Sequence, residues 1–261
     1  MAHIDPVEVL ELLAYAADKL SRPTLRNLLA GFEEFEHRPE NVRWLESLRA
    51  RNLVEKSGRG RWAVYNVTEA GRRFSQRPDP AEHWNRRWDG AWRVVTFDLP
   101  EARRAERYRL WQALRARRLG LLQRSVWIWP HDLRAILAEI IKAEGVPECF
   151  CGFSARELFL CTDAELVATA WPWEEIDRRQ KAYLQHPRLT SRAITRVGGW
   201  TEWTQLARLE RSSYVDAFVF DPLLPRMLWP KGYRGTAVQE ASTERRRELQ
   251  ARARKISGVS N

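Results

Sequence analysis

The stretch AWRVVTFDLPEARRAERYRLWQALRARRLGLLQRSVWIWP (91–130) changes its hydrophobic period twice. From Trp92 to Asp98, apolar residues occupy both faces of an extended run, which reads as a strand. Pro100 ends it, because proline has no N–H to give to a ladder. Residues 101–118 carry Tyr108, Leu110, Trp111 and Leu114 among arginines and read as a helix that Leu119-Gly120 stops. Residues 121–130 form a tight pair of short strands, with Val126 and Ile128 facing one way and Trp127 and Trp129 the other. Working outward, His131-Asp132 opens a helix of about 132–144 bearing Leu133, Ile136, Leu137, Ile140 and Ile141. Strand-like runs follow at 148–153 and 157–161. The order βαββαβ over 91–162 is that of a split βαβ, ferredoxin-like domain.

Upstream of this block, 76–90 (QRPDPAEHWNRRWDG) has two prolines, a closing glycine and no periodicity. It reads as a linker, taken as 79–90, between a domain of 1–78 and one of 91–162. Within 1–78 a first helix is expected over about 6–19, with Val9, Leu10, Leu12, Leu13 and Ala16 on one stripe. Ser21 and Thr24 are candidate caps for a second helix through Leu25, Leu28 and Leu29. A third helix is expected from near Pro39, with Val42, Leu45 and Leu48 inward. Leu53–Lys56 and Arg61–Val67, joined by Ser57-Gly-Arg-Gly60, read as a hairpin. Thr68-Glu-Ala-Gly71 begins a closing helix.

Three helices followed by a basic-tipped hairpin is the plan of a winged helix-turn-helix. On its third helix Arg38, Asn41, Arg43, Trp44 and Ser47 flank or point away from the apolar stripe and are candidate DNA contacts. Arg43 and Asn41 are the side chains chemically suited to base edges. On the wing, Lys56, Arg59 and Arg61 are suited to phosphates or an adjacent minor groove. The same plan also serves protein contacts. The joint presence of a basic wing tip and an Arg/Asn-bearing helix favours DNA.

The chain has 261 residues, 44% hydrophobic and 30% charged, with a net charge of +10. That is the composition of a folded protein and excludes a disordered one. Six basic residues are lysine and 38 are arginine, and arginine makes planar bidentate contacts to phosphate and guanine. The net charge is +1 over 1–90, +5 over 91–145 and +4 over 146–261. The DNA argument therefore rests on local placement: Arg49, Arg51, Lys56, Arg59 and Arg61 stand against Glu55 alone over 49–61. No run of 18 apolar residues exists, which excludes a transmembrane helix and leaves no membrane partner expected. The start MAHIDP lacks the basic and apolar regions of a secretory leader. Three cysteines make no disulfide framework. The expected location is a reducing cytoplasm. Residues 163–261 read as a helical C-terminal domain broken by a Pro-rich stretch at 222–230. The fold class expected is thus α+β multidomain: an N-terminal winged helix-turn-helix, a central ferredoxin-like domain and a helical C-terminal domain.

Three blocks carry a family resemblance: WDGAWRVVTFDLPE (88–101), LRARRLGLLQRSVWIWP (114–130) and FVFDPLLPRMLWP (218–230). They resemble the PaaX-type family, bacterial repressors of phenylacetate catabolism. The resemblance implies the three domains above and a dimeric transcriptional repressor. It also implies binding to a double-stranded DNA operator and release by an aryl-CoA thioester. The middle domain alone also resembles a family of small CRISPR-associated ferredoxin-like nucleases. That second resemblance implies an alternative, a metal-dependent nuclease in which Asp98 is a metal ligand shared across a dimer. Glu101 and Glu106 lie nearby on the following helix, and a metal site needs several convergent oxygens. The bland reading of Asp98 is a turn or capping residue.

No GxSxG, P-loop, GxGxxG or HExxH occurs, so no enzyme and no cofactor is expected. Cys149, Cys151 and Cys161 read as small buried hydrophobes. The 13 tryptophans read mainly as core anchors. A few are expected to line a pocket for an aromatic acyl group, with arginines meeting CoA phosphates. The sequence does not single out which residues bind an effector.

Overall fold

The computed structural model describes residues 6–16, 19–21, 28–29, 43–75, 79–145 and 150–257. The chain forms two compact units, 1–78 with 182–216 and 236–261, and 79–181 with 217–235.

In the first unit, α1 (Pro6–Ala16) buries Val9, Leu10 and Leu13 completely or nearly so. The helix expected to run to residue 19 stops at Ala16, and Lys19–Ser21 form β1. Lys19, Leu20 and Ser21 pair with Asn66, Tyr65 and Val64, so ladder pairing takes the backbone that a further helical turn would need. Ser21, read as a possible helix cap, is a strand residue. Leu28 and Leu29 are helical and buried. The other positions named for the second helix lie outside the described residues, as does the start of the third near Pro39.

The described part of the third helix is α2 (Arg43–Ala50), whose Leu45 and Leu48 are fully buried. Asn52 ends it with a left-handed φ of 56°. The Asn52 N–H donates to the Arg49 carbonyl and the Leu53 N–H to the Leu48 carbonyl, both at 2.9 Å, a Schellman closure. β2 (Val54–Ser57) and β3 (Val64–Val67) pair antiparallel, and β3 is central in the order β1-β3-β2. The expected second strand begins three residues late, because Gly60–Trp62 form a 3₁₀ turn. Gly58, at φ 76°, permits this: a Cβ there would lie 2.6 Å from the Trp62 carbonyl oxygen. The Thr68 hydroxyl accepts from the Gly71 N–H at 3.0 Å and donates to the Asn52 carbonyl at 2.7 Å. It thereby ties the start of α3 (Glu69–Ser75) to the end of α2.

The second unit begins inside the stretch read as a linker. Asp79 caps α4 (Pro80–Trp84) by accepting from the Ala81 N–H at 2.9 Å, and Trp84 is buried. The expected βαββαβ order follows: β4 (Trp92–Phe97), α5 (Arg104–Ala116), β5 (Gly120–Gln123), β6 (Val126–Trp129), α6 (Arg134–Glu144) and β7 (Phe150–Ala155). The strands lie in the order β5-β6-β4-β7, each pair of neighbours antiparallel. A second strand at 157–161 does not form. Leu160 has a φ of 61° there, incompatible with an extended run. Trp127 and Ile128, on opposite faces of β6, are both 1% exposed, so this strand is covered on both sides. Leu110 and Leu114 of α5 and Ile140 of α6 share the core with Trp92 and Trp127.

Thr162 and Glu165 form a reciprocal capping box that starts α7 (Asp163–Ala170). α8 (Trp173–Leu184) follows Pro172. The 217–235 segment folds into the same unit. The Trp229 and Tyr233 rings lie 4.8 Å apart, tilted at 49°, and Trp229 meets Trp84 edge-on at 5.6 Å.

The remaining helices, α9 (Ser191–Arg196), α10 (Trp200–Ala217) and α11 (Gly235–Ile256), return largely to the first unit. There the Thr204 hydroxyl donates to the Leu28 carbonyl at 2.8 Å. Arg208 pairs with Glu8 at 2.9 Å, and Arg211 with the buried Glu11 at 2.6 Å. Trp203, fully buried, donates through Nε1 to the Leu249 carbonyl at 2.9 Å. The helical segment read as one C-terminal domain over 163–261 is therefore divided between the two units. The chain is α+β with two antiparallel sheets. No described helix is long and apolar enough to cross a membrane.

Candidate nucleic-acid interface

α2 and the β2–β3 hairpin are held together by the Asn52 closure and the Thr68 bridge described above. That juxtaposition makes a concave surface of about 520 Å³ between the end of the helix and the first wing strand, lined by Glu46, Arg49, Asn52, Glu55 and Lys56. Of the residues expected to contact DNA, Ser47 is exposed on α2. Arg43 and Trp44 occupy the first described turn of that helix. Arg38 and Asn41 lie outside the described residues. On the wing, Lys56 and Arg59 are exposed, and Arg61 sits in the 3₁₀ turn.

The cations here have different surroundings. Arg49 pairs with Glu46 at 2.5 Å across one helical turn. Arg51 lies 4.6 Å from the Phe74 ring centroid, which directs it back against α3. The Lys56 ammonium sits 5.7 Å from the Tyr65 ring centroid and remains exposed. In the 3₁₀ turn Trp62 is 73% exposed. A large aromatic held out at the tip of a basic hairpin is unusual, because burial of such a ring is worth several kcal/mol. The strand expected over Arg61–Val67 would include Trp62, and Gly58 and Gly60 just before it are the signal of a turn.

Asp98 is exposed at the end of β4. The nearest carboxylates in sequence are engaged: Glu101 with Arg107 at 3.1 Å, and Glu106 with Arg103. Among the described residues no three His, Cys, Asp or Glu side chains are placed to share a metal ion. Cys151 is exposed and Cys161 half-buried, which corrects their reading as buried hydrophobes. β7 is an edge strand and presents Cys151 to solvent. Cys149 is outside the described residues.

Residues 85–167, which hold the whole βαββαβ unit, match the family model described as the PaaX protein central Cas2-like domain. Over these residues the chain is similar to the central domain of PaaX-type proteins. Its sheet order β5-β6-β4-β7 and its two crossover helices supply the fold of that domain. The resemblance carried by 88–101 and 114–130 holds over the matched residues. Among solved structures, the uncharacterized protein Rv0674 from Mycobacterium tuberculosis is similar over 96% of this chain and 97% of that one, with a TM-score of 0.60 and 19% identity. At that identity the likeness is one of fold, and it extends across both units. No curated protein matches the chain.

Proposed function

We propose that this chain is a sequence-specific DNA-binding transcriptional regulator, acting as a repressor, rather than an enzyme. The observation that carries the reading is the pairing of α2 with a hairpin that exposes Lys56, Arg59 and Trp62, Lys56 lining a concave surface shared with the end of the helix. The PaaX-type central domain supports it from a second direction, since it is found in a family of regulators. In this reading residues 1–78 are the winged helix-turn-helix and the βαββαβ unit is a ferredoxin-like domain. α2 enters the major groove with Arg43 toward base edges, and Arg38 and Asn41, which precede it in sequence, contribute. Lys56, Arg59 and Arg61 hold phosphates. Trp62 packs against the sugar edge or wedges into the neighbouring minor groove.

The regulator works as a homodimer in the cytoplasm on a two-fold symmetric operator. An aryl-CoA-type effector releases it, by binding more tightly to the state with lower operator affinity. The test is a mobility shift of the full chain on its own upstream DNA against a scrambled duplex, over a salt series, with and without an aryl-CoA. Binding that prefers the upstream DNA supports the regulator. Equal binding to both duplexes at every salt concentration overturns it.

A further inference from the structure

A second cavity, of about 260 Å³, lies within the second unit, where α5 and β5 meet the turn after α7. Its walls are Trp111, Trp127, Trp171 and Phe220, with Arg115 and Arg118 among them. Trp111 and Trp127 meet edge to face, centroids 6.2 Å apart. The exposed Arg115 guanidinium caps this wall, 4.9 Å from the Trp111 centroid and 5.5 Å from that of Phe220. Such a wall presents ring faces and edges to whatever occupies the space, and it suits a planar aromatic group.

Two hydrogen-bond donors at this cavity have no acceptor among the described residues. Trp127 is 1% exposed and its Nε1–H is unpartnered. By contrast the Trp171 Nε1–H next to it donates to the Arg118 carbonyl at 2.9 Å. The Arg118 guanidinium is half-buried and makes no hydrogen bond or ion pair among the described residues. Burial depresses its pKa, and the charge of Asp221 partly offsets this. Asp221 does not neutralise Arg118 directly, because its oxygens already accept from Gln180 and Tyr233, each at 2.7 Å, and from the Leu223 N–H at 2.8 Å. Arg118 is also held at a left-handed φ of 66°, where glycine would sit without strain. A buried indole N–H left without an acceptor is costly, and a half-buried cation beside it favours an anionic one.

We propose that this cavity binds a small aromatic carboxylate, its ring against the tryptophans and its two acceptor-only oxygens taken by Arg118 and Trp127. A carboxylate accepts at both oxygens and matches the planar guanidinium fork. The volume falls below the ~300–1,000 Å³ of pockets that enclose drug-sized ligands. One ring with its acid group fits, and a coenzyme does not. The site is argued from the second unit alone and stands whether or not the chain binds DNA.

The probe is benzoate, titrated calorimetrically into the full chain, beside neutral benzamide and benzoyl-CoA. Saturable benzoate binding is expected, with benzamide weaker by about tenfold or more, because a neutral amide loses the charge-assisted bond. Arg118→Met should weaken benzoate by about tenfold or more. Trp127→Phe keeps the ring and removes only the N–H, and should weaken it by a few fold. Near-UV circular dichroism checks that each variant is folded, and Trp127→Phe carries the test if Arg118→Met is not. Absence of saturable benzoate binding, equal affinity for benzamide, or folded variants that bind as tightly as the parent would each overturn the assignment. Binding of benzoyl-CoA without benzoate overturns it as well and moves the ligand to the thioester.

Discussion

The wing and the Trp-lined cavity both pair cations with aromatic rings, and water makes them opposites. On the wing, Lys56 beside Tyr65 and the exposed Arg59 keep their hydration. Their attraction for an anion is long-ranged, sequence-blind and screened by salt. At the cavity, Arg118 is half-buried and lines the same space as Trp127 and Trp171. An anion held there is bound by directed hydrogen bonds in a poorly screened site. The comparison teaches that a count of arginines says little about function. The degree of desolvation decides whether a cation searches for a polyanion or fixes one small acid.

The sharpest way to break this comparison is to titrate the buried acid whose charge acts on Arg118. Asp221 is fully buried, and burial raises its carboxyl from 3.8 to about 6 despite three hydrogen bonds and the nearby Arg118. The folded state therefore holds this proton more tightly than the unfolded chain. The stabilisation is complete below 3.8 and lost as pH rises through about 6, a difference of about 3 kcal/mol at most. Urea unfolding at fixed pH values should show the parent gaining on Asp221→Asn by up to that amount as pH falls from 7 to 4. A constant difference between the two would show that Asp221 is solvated and that the interior around Arg118 is wet. His131 acts in the opposite sense: burial, foremost, and nearby arginines lower it to about 4. Its contribution is present above 6.5 and fades as pH falls toward 4, so His131→Gln should remove a downward slope where Asp221→Asn removes an upward one.

At the other end of the comparison, Arg43→Ala should cost about 1–3 kcal/mol of operator binding and relax sequence preference. Intact selectivity in a binding-site selection would mean that the groove-facing side of α2 is misassigned. Smaller effects are expected on the wing. Arg59→Ala should weaken binding to all duplexes alike and shift the slope of log K against log salt by about 0.9. Trp62→Ala should lower affinity by a few fold without moving that slope, which separates a packed ring from a phosphate contact. A slope change for Trp62→Ala would mean that the ring acts by placing a phosphate contact, and unchanged affinity would place it outside the interface.

The two regions also differ in how far sequence alone reveals them. The βαββαβ order is legible because each change of period over 91–130 is punctuated, by Pro100 and by Leu119-Gly120, and because local signals agree with the final fold. The strand expected at 157–161 fails on one backbone angle, that of Leu160, which no composition rule anticipates. In the first unit the wing is legible from its glycines. The strand Lys19–Ser21 is not, because a three-residue edge is made by its partner β3 rather than by its own propensity. The return of α10 and α11 to the first unit rests on contacts some 200 residues apart, such as Arg211 with Glu11, and periodicity carries no such information. Of the candidate site, the wing cations are recognisable as charges in a turn. The cavity is not, since Trp111, Trp127 and Trp171 come from three separate elements and only the fold brings them to Arg118.

The central claim, that the basic hairpin serves DNA, is tested most directly by fluorescence anisotropy of labelled upstream DNA with the full chain and with the Lys56→Ala/Arg59→Ala double variant across a salt series. The account predicts specific binding by the parent and a salt slope shallower by about 1.8 in the variant, two phosphates at ~0.9 each. The same slope and affinity in both proteins would contradict it.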